Sequence, residues 1–538
     1  AWRRIIGAPD YEAYLARQLR EAGVRRFFGV PGGPSIPYME AFRRAGIDFV
    51  LTSHEASAAV MADVTARLTG VTGVCHATFG PGAVNLASGV GGAMLDRSPV
   101  LALTTEMPEK WLGRTVQMNI DHQALFRPLT KASFRLNVND AGEVINRSLK
   151  LANEEYPGPV HIGLPSDLAG HVAKESMGDS VAAGPSGRIS EAGSSEARAG
   201  VLIASSQRPL IAVGLTAMRT GAGRALVRFL EDHMVPVIVT PMAKGVIRKD
   251  HQCYAGVLFH ALSDRLVRLV KSADLVIGLG YDPVEYNYES WLPDVPLVHF
   301  DTRPSDLRIR GAIECVSEPE DWFRVLSPLR SSDEMVDLAA EVRREILNSL
   351  IKTGHGLNPV TALSSLREVL PPDATVTADV GSHLHLAGQL WDIQDGRLIM
   401  TNGWSSMGFG LPAAVAAALA GCGGPVACVT GDGGFLMHAG EIITARRLGL
   451  QIIVVVFSDG ELNLIKVKQS WKESDHYGIQ IYDGPLFGTE RFLGVDVQRV
   501  TDLPGMHKAL KCAIRSGGIT IIEAAVDPSV YDDLLVKS

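Results

Sequence analysis

The sequence predicts an α/β protein of three domains, each a mostly parallel sheet covered by helices. The chain has 538 residues, which is too long for a single hydrophobic core. Short, uninterrupted apolar segments alternate with helical patterns, as expected for parallel strands that are buried on both faces. Weak linkers at 173–199 and around 330–356 separate three blocks of ordinary domain size. We therefore predict domains at 1–175, 196–330 and 356–538.

The predicted strands are short apolar runs that lie between helical segments. In the first block they are RRFFGV, FVLTS, GVCHATF, VLALTT and VHIGLP; in the second PLIAVG, PVIVT, DLVIGLG and PLVHFD; in the third TVTAD, VACVTGD, QIIVVVFSD and ITIIEAAV. Ligands of such sheets bind beyond the carboxyl ends of the strands. Residues that directly follow a strand are therefore the first candidates for a functional site.

Composition favours a cytoplasmic protein with a small-molecule partner. The net charge is −8, and no concentrated basic surface of the kind that binds nucleic acid is indicated. The six cysteines form no C-x-x-C pair, which is typical of reduced thiols. The first residues lack the apolar core of a signal peptide, and no run of about 18 apolar residues predicts a membrane span.

The strongest local signal follows the strand VACVT. Gly431-Asp432-Gly433-Gly434 ends this strand, and a helix is predicted to begin near Phe435. Glycines let a backbone approach an anion closely, and a helix start offers free N–H groups to phosphate oxygens. Asp459 follows the next strand, so two carboxylates beside a diphosphate would suit Mg²⁺. For the glycine turn alone, an ordinary turn with a capping aspartate is the competing interpretation.

Several motifs in fixed order make the chain similar to a known family. The first block carries FGVPGG (28–33), SHEASAAVMADVTARLTG (53–70), FGPGAVN (79–85) and ALFRPLTK (124–131), the middle block GLGYDPVEY (278–286), and the third block ADVGSH, NGWSSMGFGLPAA (402–414) and the GDG segment. Together they resemble the thiamine diphosphate enzymes, in their flavin-independent, acetolactate synthase-like branch. The resemblance implies a pyrimidine-binding first domain, a Rossmann-like central domain and a third domain that binds the diphosphate.

The resemblance also implies roles for individual residues. Glu55 would exchange a proton with the cofactor's aminopyrimidine. Met407 would prop the cofactor in its bent conformation, and the Ser405 carbonyl would hold the exocyclic amine. On bare sequence, a helix-capping acid and a core methionine are the competing interpretations of Glu55 and Met407. The predicted catalytic residues are Glu55, Gln117 and Met407; the predicted cofactor contacts are Pro31, Gly32, Glu55, Asn85, Gly381, Ser382, His383, Ser405, Met407, Gly431, Asp432, Gly433, Gly434, Asp459 and Leu462; the predicted metal ligands are Asp432, Asp459 and Glu461.

The implied activity is decarboxylation of a 2-oxo acid, with pyruvate favoured, and transfer of the acyl unit to a second carbonyl. The implied cofactors are thiamine diphosphate and Mg²⁺. No FAD is expected, because GYDPVEY in the middle block resembles the flavin-independent enzymes and not the arginine-bearing stretch of their flavin-dependent relatives. The glycine turn near Gly214 is also not GxGxxG. In similar enzymes Glu55 and the metal motif come from different subunits, so a homodimer or homotetramer is expected.

Departures from the family leave the reaction open. Where acetolactate synthases carry a glutamine before ALFRPLTK, Met118 stands here, with Gln117 beside it. The segment 470–495 matches the family poorly, although it should cover the site and select the acceptor. Alternatives are therefore an enzyme similar to carboxyethylarginine synthase or sulfoacetaldehyde acetyltransferase, a simple 2-oxo acid decarboxylase, or a silent cofactor-binding regulatory homologue. Further candidates for substrate contact are His383, His385, Lys131 and Gln469.

Overall fold

The structure is a computed structural model that describes residues 10–137, 139–171, 192–305, 307–352 and 356–535.

The first sheet is parallel and has the strand order β2-β1-β3-β4-β6-β5. The strands are β1 Arg26–Val30, β2 Asp48–Leu51, β3 Gly73–Ala77, β4 Val100–Glu106, β5 Ala132–Arg135 and β6 Val160–Pro165. The helices are α1 Tyr11–Glu21, α2 Ile36–Arg44, α3 Glu55–Thr69, α4 Pro81–Leu95, α5 His122–Phe126 and α6 Ala141–Asn153.

The second sheet is also parallel and has the order β12-β11-β10-β7-β8-β9. Its strands are β7 Pro209–Val213, β8 Val237–Val239, β9 Tyr254–Val257, β10 Leu275–Leu279, β11 Leu297–Asp301 and β12 Ile313–Val316. Its helices are α7 Ala192–Ser205, α8 Leu215–Thr220, α9 Gly223–Asp232, α10 Ser263–Ser272 and α11 Pro319–Leu326, and α12 Asp333–Lys352 leads towards the third sheet.

The third sheet has the order β14-β13-β15-β16-β19-β18-β17 and is parallel except at the β17–β18 edge. Its strands are β13 Thr375–Ala378, β14 Arg397–Ile399, β15 Val426–Gly431, β16 Ile452–Ser458, β17 Arg491–Phe492, β18 Val495–Val500 and β19 Thr520–Ala525. Its helices are α13 Pro359–Val369, α14 Ser382–Leu390, α15 Gly410–Ala420, α16 Asp432–His438, α17 Glu441–Arg447, α18 Asn463–Trp471, α19 Leu503–Ser516 and α20 Val530–Leu534.

The three-domain α/β fold predicted from the sequence is confirmed. The start of helix α16 differs from the prediction, because this helix begins at Asp432 and not near Phe435. Gly431 is already the N-cap, with extended backbone, so the glycine motif forms the first turn of the helix. Helix α7 begins at Ala192, inside the predicted linker 173–199, and residues 172–191 lie outside the described part of the chain.

The first and third sheets share one hydrophobic core. Helix α3 packs against both α4 and α15, and small residues on these helices permit close approach. A Cβ atom at Gly89 would lie 2.6 Å from the Cβ of Ala59, and one at Gly91 would lie 2.8 Å from the Trp404 ring. This packing brings the amino end of α3 beside the third sheet. No helix within the described residues has the length and apolar character needed to cross a membrane.

Candidate functional site

Two aspartates lie side by side at the carboxyl edge of the third sheet. Strands β15 and β16 are parallel neighbours, and Asp432 and Asp459 directly follow them. The Oδ2 atom of Asp432 accepts hydrogen bonds from the backbone N–H groups of Asp459, at 3.1 Å, and Gly460, at 2.8 Å. The Asn463 side chain donates to Asp459 Oδ2 at 2.8 Å. Asn463 was not predicted from the sequence, although its place as the first residue of α18, four residues after Asp459, offered a signal.

The electrostatics of this pair favour a bound cation. Burial raises the pKa of Asp459 to about 7, and the charge of Asp432 adds to the shift. A divalent cation would reverse this penalty, and carboxylate oxygens are ligands that Mg²⁺ prefers. The carboxylate of Glu461 instead lies 2.5 Å from Lys466 Nζ. The ligand role of Glu461 therefore stays a prediction.

Two buried polar side chains at the start of α14 lack partners. Ser382 Oγ and His383 Nε2 have no hydrogen-bond partner among the residues that the structure describes. Such an atom costs about 1–3 kcal/mol when it stays unsatisfied. Burial lowers the pKa of His383 to about 4, and a bound anion would oppose that shift. The ring also lies close to Gly431, where a Cβ atom would be 3.2 Å from its Cε1. The donor set fits a diphosphate.

Asp379, which sequence reasoning missed, packs against the glycine motif. It follows β13 and is buried, and its carboxylate accepts from Thr430 Oγ1 and Gly408 N, both at 2.8 Å. A Cβ atom at Gly434 would lie 2.5 Å from Asp379 Oδ2, so only glycine fits there. An aspartate that directly follows a central strand was the available signal.

Met407 lies against the glycine motif. A Cβ atom at Gly433 would be 3.2 Å from the Cε of Met407, the Cδ2 of Leu462 and the Cδ1 of Ile481. The structure thus brings together three residues that the sequence predicted separately, and adds Ile481 from the poorly matching segment. Ser405 has a left-handed backbone with φ of 54°, and its hydroxyl donates to the Asn402 carbonyl.

Glu55 is the first residue of α3 and is buried. Asn85 Nδ2 donates to its Oε2 at 3.1 Å, whereas His54, and not Glu55, caps the helix. The Glu55 carboxylate therefore does not cap the helix. The preceding Ser53 donates its N–H to Glu441 Oε1 at 2.9 Å, which joins this end of α3 to the third sheet.

The remaining candidates of the first domain differ in their surroundings. Gly32 lies so close to Thr78 that a Cβ atom would be 2.3 Å from Thr78 Oγ1, and Pro31 precedes it at the end of β1. Met118 has a left-handed backbone with φ of 62° and lies against Gly80. A Cβ atom at Gly80 would be 2.7 Å from the carbonyl oxygen of Met118. Gln117 is exposed beside it.

Two of the suggested substrate contacts are already occupied by structural bonds. Lys131 Nζ donates to the carbonyls of Glu154, at 2.5 Å, and Tyr156, at 2.8 Å. The Gln469 amide bonds the backbone of Tyr477 in both directions. His385, in contrast, has a buried Nδ1 without a partner in the described part of the chain.

A buried cluster of Glu106, His122 and His161 has residue types that could bind a metal. However, Thr104 Oγ1 lies 2.8 Å from a ring nitrogen of each histidine. Arg135 also pairs with Glu106 at 2.8 Å. The ligand atoms are therefore satisfied without an ion, and the cluster is part of the structural core.

Family models of three consecutive domains match the chain. The N-terminal TPP binding domain of thiamine pyrophosphate enzymes matches residues 9–125, the central domain 197–324, and the C-terminal TPP binding domain 379–524.

Curated relatives are similar over nearly the whole chain. An acetolactate synthase of Arthrospira platensis is 30% identical and the match covers 98% of this chain and 95% of the relative. A probable acetolactate synthase large subunit of Methanocaldococcus jannaschii is 28% identical, covering 96% and 91% respectively. The acetolactate synthase isozyme 2 large subunit of Escherichia coli is 28% identical, covering 96% and 95%.

Proposed function

The chain belongs to the thiamine pyrophosphate enzyme family, as an acetolactate synthase-like enzyme, and on this basis we propose that its reaction is Mg²⁺-dependent and uses pyruvate. Pyruvate would be decarboxylated and its acyl unit transferred to a second carbonyl. The observation that carries the metal proposal is the adjacent pair of Asp432, which is buried, and Asp459, which is half-buried. Neither carboxylate forms a salt bridge with a described basic side chain.

The cofactor would be held at the carboxyl edge of the third sheet. Ser382 and His383 offer unpaired polar atoms to its diphosphate, and Asp432 and Asp459 offer carboxylate oxygens to Mg²⁺. Met407 would support the middle of the cofactor, since it packs on Gly433. When bound, thiamine diphosphate supplies the electron sink that decarboxylation needs.

Glu55 would exchange the proton that activates the cofactor. Its carboxylate is buried and held by the single amide donor of Asn85, which leaves lone pairs for a ring nitrogen. A fixed carboxyl group within hydrogen-bond reach of its partner is the geometric requirement for general acid–base catalysis.

The acceptor is the most open part of the proposal. Met118 stands where the family carries a glutamine, and it lies against Gly80. Gly82, two residues further along, borders Glu55. A thioether cannot donate a hydrogen bond to an oxyanion. A different carbonyl acceptor, bound here through apolar contact, is therefore the second candidate function.

We also propose that the enzyme works without a flavin. At the carboxyl edge of the second sheet, Glu285 accepts hydrogen bonds from Leu215 N at 3.0 Å, Met242 N at 3.0 Å and Thr240 Oγ1 at 2.8 Å. A carboxylate at the start of α8 thus takes the N–H groups that a nucleotide phosphate would need.

A homodimer is the smallest assembly that we propose. Large apolar side chains at the surfaces of the first and third domains support it, because a second copy would remove them from water. These side chains are Val84, Trp404, Leu436, Met437 and Ile443, all at least 40% exposed.

The deciding experiment is an incubation of the purified protein with thiamine diphosphate, Mg²⁺ and pyruvate, in which carbon dioxide, acetaldehyde and acetolactate are measured. We expect acetolactate without acetaldehyde. Acetaldehyde alone would favour a simple decarboxylase. An absence of pyruvate turnover would contradict the proposed substrate, and a panel of other 2-oxo acids and carbonyl acceptors would then be tested.

A further inference from the structure

The segment that follows α18 folds back onto the loop that carries Asp459. Leu462 donates its N–H to the carbonyl of Ile479, and Ile481 donates to the carbonyl of Gly460, both at 2.8 Å. These backbone bonds form a short antiparallel ladder. The ladder brings the next side chain, Tyr482, over the carboxyl edge of the third sheet.

The Tyr482 hydroxyl lies at the centre of a polar chain. It is 2.8 Å from Asp432 Oδ2 and 2.7 Å from Ser458 Oγ, and Ser458 Oγ is 3.2 Å from Glu523 Oε1. Two hydroxyl protons must serve these three contacts. The two shorter contacts are satisfied together when Ser458 donates to Tyr482 and Tyr482 donates to Asp432. Glu523 Oε1 still accepts from Leu486 N at 2.9 Å.

The two oxygens of Asp432 consequently differ. Oδ2 accepts three hydrogen bonds, from Asp459 N, Gly460 N and the Tyr482 hydroxyl, whereas Oδ1 accepts one, from Gly433 N. A carboxylate oxygen has two lone pairs, so Oδ2 is saturated and Oδ1 retains capacity for a ligand bond.

We propose that Tyr482 is a positioning residue, which saturates Asp432 Oδ2 and so presents Oδ1 to the divalent cation. This inference rests on the proposed function, since it assumes a cation at this site. It gives a role to the segment 470–495, whose sequence resembles the family least.

Ion selectivity separates this role from simple packing. Mg²⁺ requires a near-ideal octahedral arrangement of its ligands, whereas Ca²⁺ tolerates irregular ones. If Tyr482 orients the Asp432 carboxylate, loss of the Tyr482 hydroxyl should weaken the binding of Mg²⁺ much more than the binding of Ca²⁺. A residue that only packs the segment in place should affect both ions alike.

The test uses the full-length metal-stripped protein and its Tyr482→Phe variant. Quenching of tryptophan fluorescence by thiamine diphosphate is titrated with Mg²⁺ and, separately, with Ca²⁺. We expect the half-saturating Mg²⁺ concentration to rise about tenfold in the variant, as is common when a partner of a metal ligand is removed. The Ca²⁺ value should rise less than about threefold.

Tyr477→Phe is the matched control, because this tyrosine of the same segment is 87% exposed; it should behave as the native protein. Equal losses for the two ions, or a Mg²⁺ value within about twofold of native, would overturn the positioning role alone. If the native protein fails to bind the cofactor with either ion, both the proposed function and this inference are wrong.

Discussion

Glu55 is a buried acid and Asp459 a half-buried one, and their neighbours suit them to different chemistry. Glu55 receives one side-chain hydrogen bond, from Asn85, in the first domain. Asp459 is held by Asn463 and lies within the field of a second carboxylate, Asp432. A lone carboxyl group can exchange a proton, whereas a pair of carboxylates is suited to a cation.

Replacement of Glu55 by glutamine should abolish most of the turnover. The amide keeps the shape of the side chain but cannot exchange a proton, so we expect a loss on the order of a thousandfold in kcat. Steady-state kinetics with pyruvate and a thermal melting curve measure rate and folding separately. Glu109→Gln, an exposed acid of the same domain, is the control. An unchanged rate in Glu55→Gln would refute the proton-exchange role.

Asp301, in the middle domain, should make stability depend on pH. Burial raises its pKa from about 3.8 to about 7, and its Oδ2 has no hydrogen-bond partner in the described part of the chain. The native state thus keeps a proton that the unfolded chain releases above about pH 4. Its contribution to stability is complete below that pH and declines towards pH 7, by about 1.4 kcal/mol per pH unit.

The Asp301→Asn variant tests this dependence. Because asparagine cannot ionise, the decrease in Tm between about pH 5 and pH 8 should be smaller in the variant than in the native protein. Differential scanning calorimetry measures both. Asp294→Asn, at an exposed position, should leave the decrease unchanged. Parallel decreases in native protein and Asp301→Asn would rule out this residue as the cause.

At single positions, the sequence could predict residues that follow strands but not the partners of long side chains. Asp432 and Asp459 were predicted because the carboxyl ends of neighbouring parallel strands meet at one edge. The occupation of Lys131 by two carbonyl groups could not be predicted, since these come from a loop more than twenty residues away. The partnership of Tyr482 with Asp432 likewise depends on a distant turn.

Among the elements, burial decided what the sequence could predict. Every strand predicted from an apolar run is present. The strands that were missed, β5, β9, β12, β14, β17 and β18, lie at or next to the sheet edges. Most of them are short or partly exposed, so they lack the continuous apolar run that marks a central strand. Their pairing is supplied by tertiary contact.

The contact between α3 and α4 should be sensitive to a single methyl group. A Cβ atom at Gly89 would lie 2.7 Å from the Ala56 carbonyl oxygen, so Gly89→Ala should destabilise the protein by about 1–3 kcal/mol. Gly92→Ala, on the same helix, meets its first neighbour at 3.9 Å and should be neutral or stabilising by about 0.5–1 kcal/mol. Urea unfolding measures both variants; equal effects would contradict the packing argument.

At the scale of the molecule, the proposed active site needs residues from two units, the first and the third. Ser53 and Glu441 connect these units within one chain, where the residues before α3 meet the start of α17. The proposed assembly places a second chain against their exposed apolar side chains. Each active site would then combine Glu55 of one subunit with Asp459 of another.

Mixed variants test this division of the site. Glu55→Gln and Asp459→Asn are each expected to be inactive alone. If the two proteins are unfolded together and refolded as a mixture, hybrid dimers contain one intact site, and activity should return to about a quarter of the native value. Refolded single variants are the controls. Persistent inactivity of a mixture in which hybrids are detected would show that each site belongs to one chain.

The first and third sheets have the same strand order, apart from the additional strand β17, and the helices α3 and α15 occupy the same position in each. These two helices also pack against each other. The two units thus share one topology, and their equivalent helices lie at the contact between them. Such an arrangement is the expected product of a gene duplication in which a self-associating ancestor was joined into one polypeptide. The middle sheet, with its different strand order, is then an insertion between the two halves.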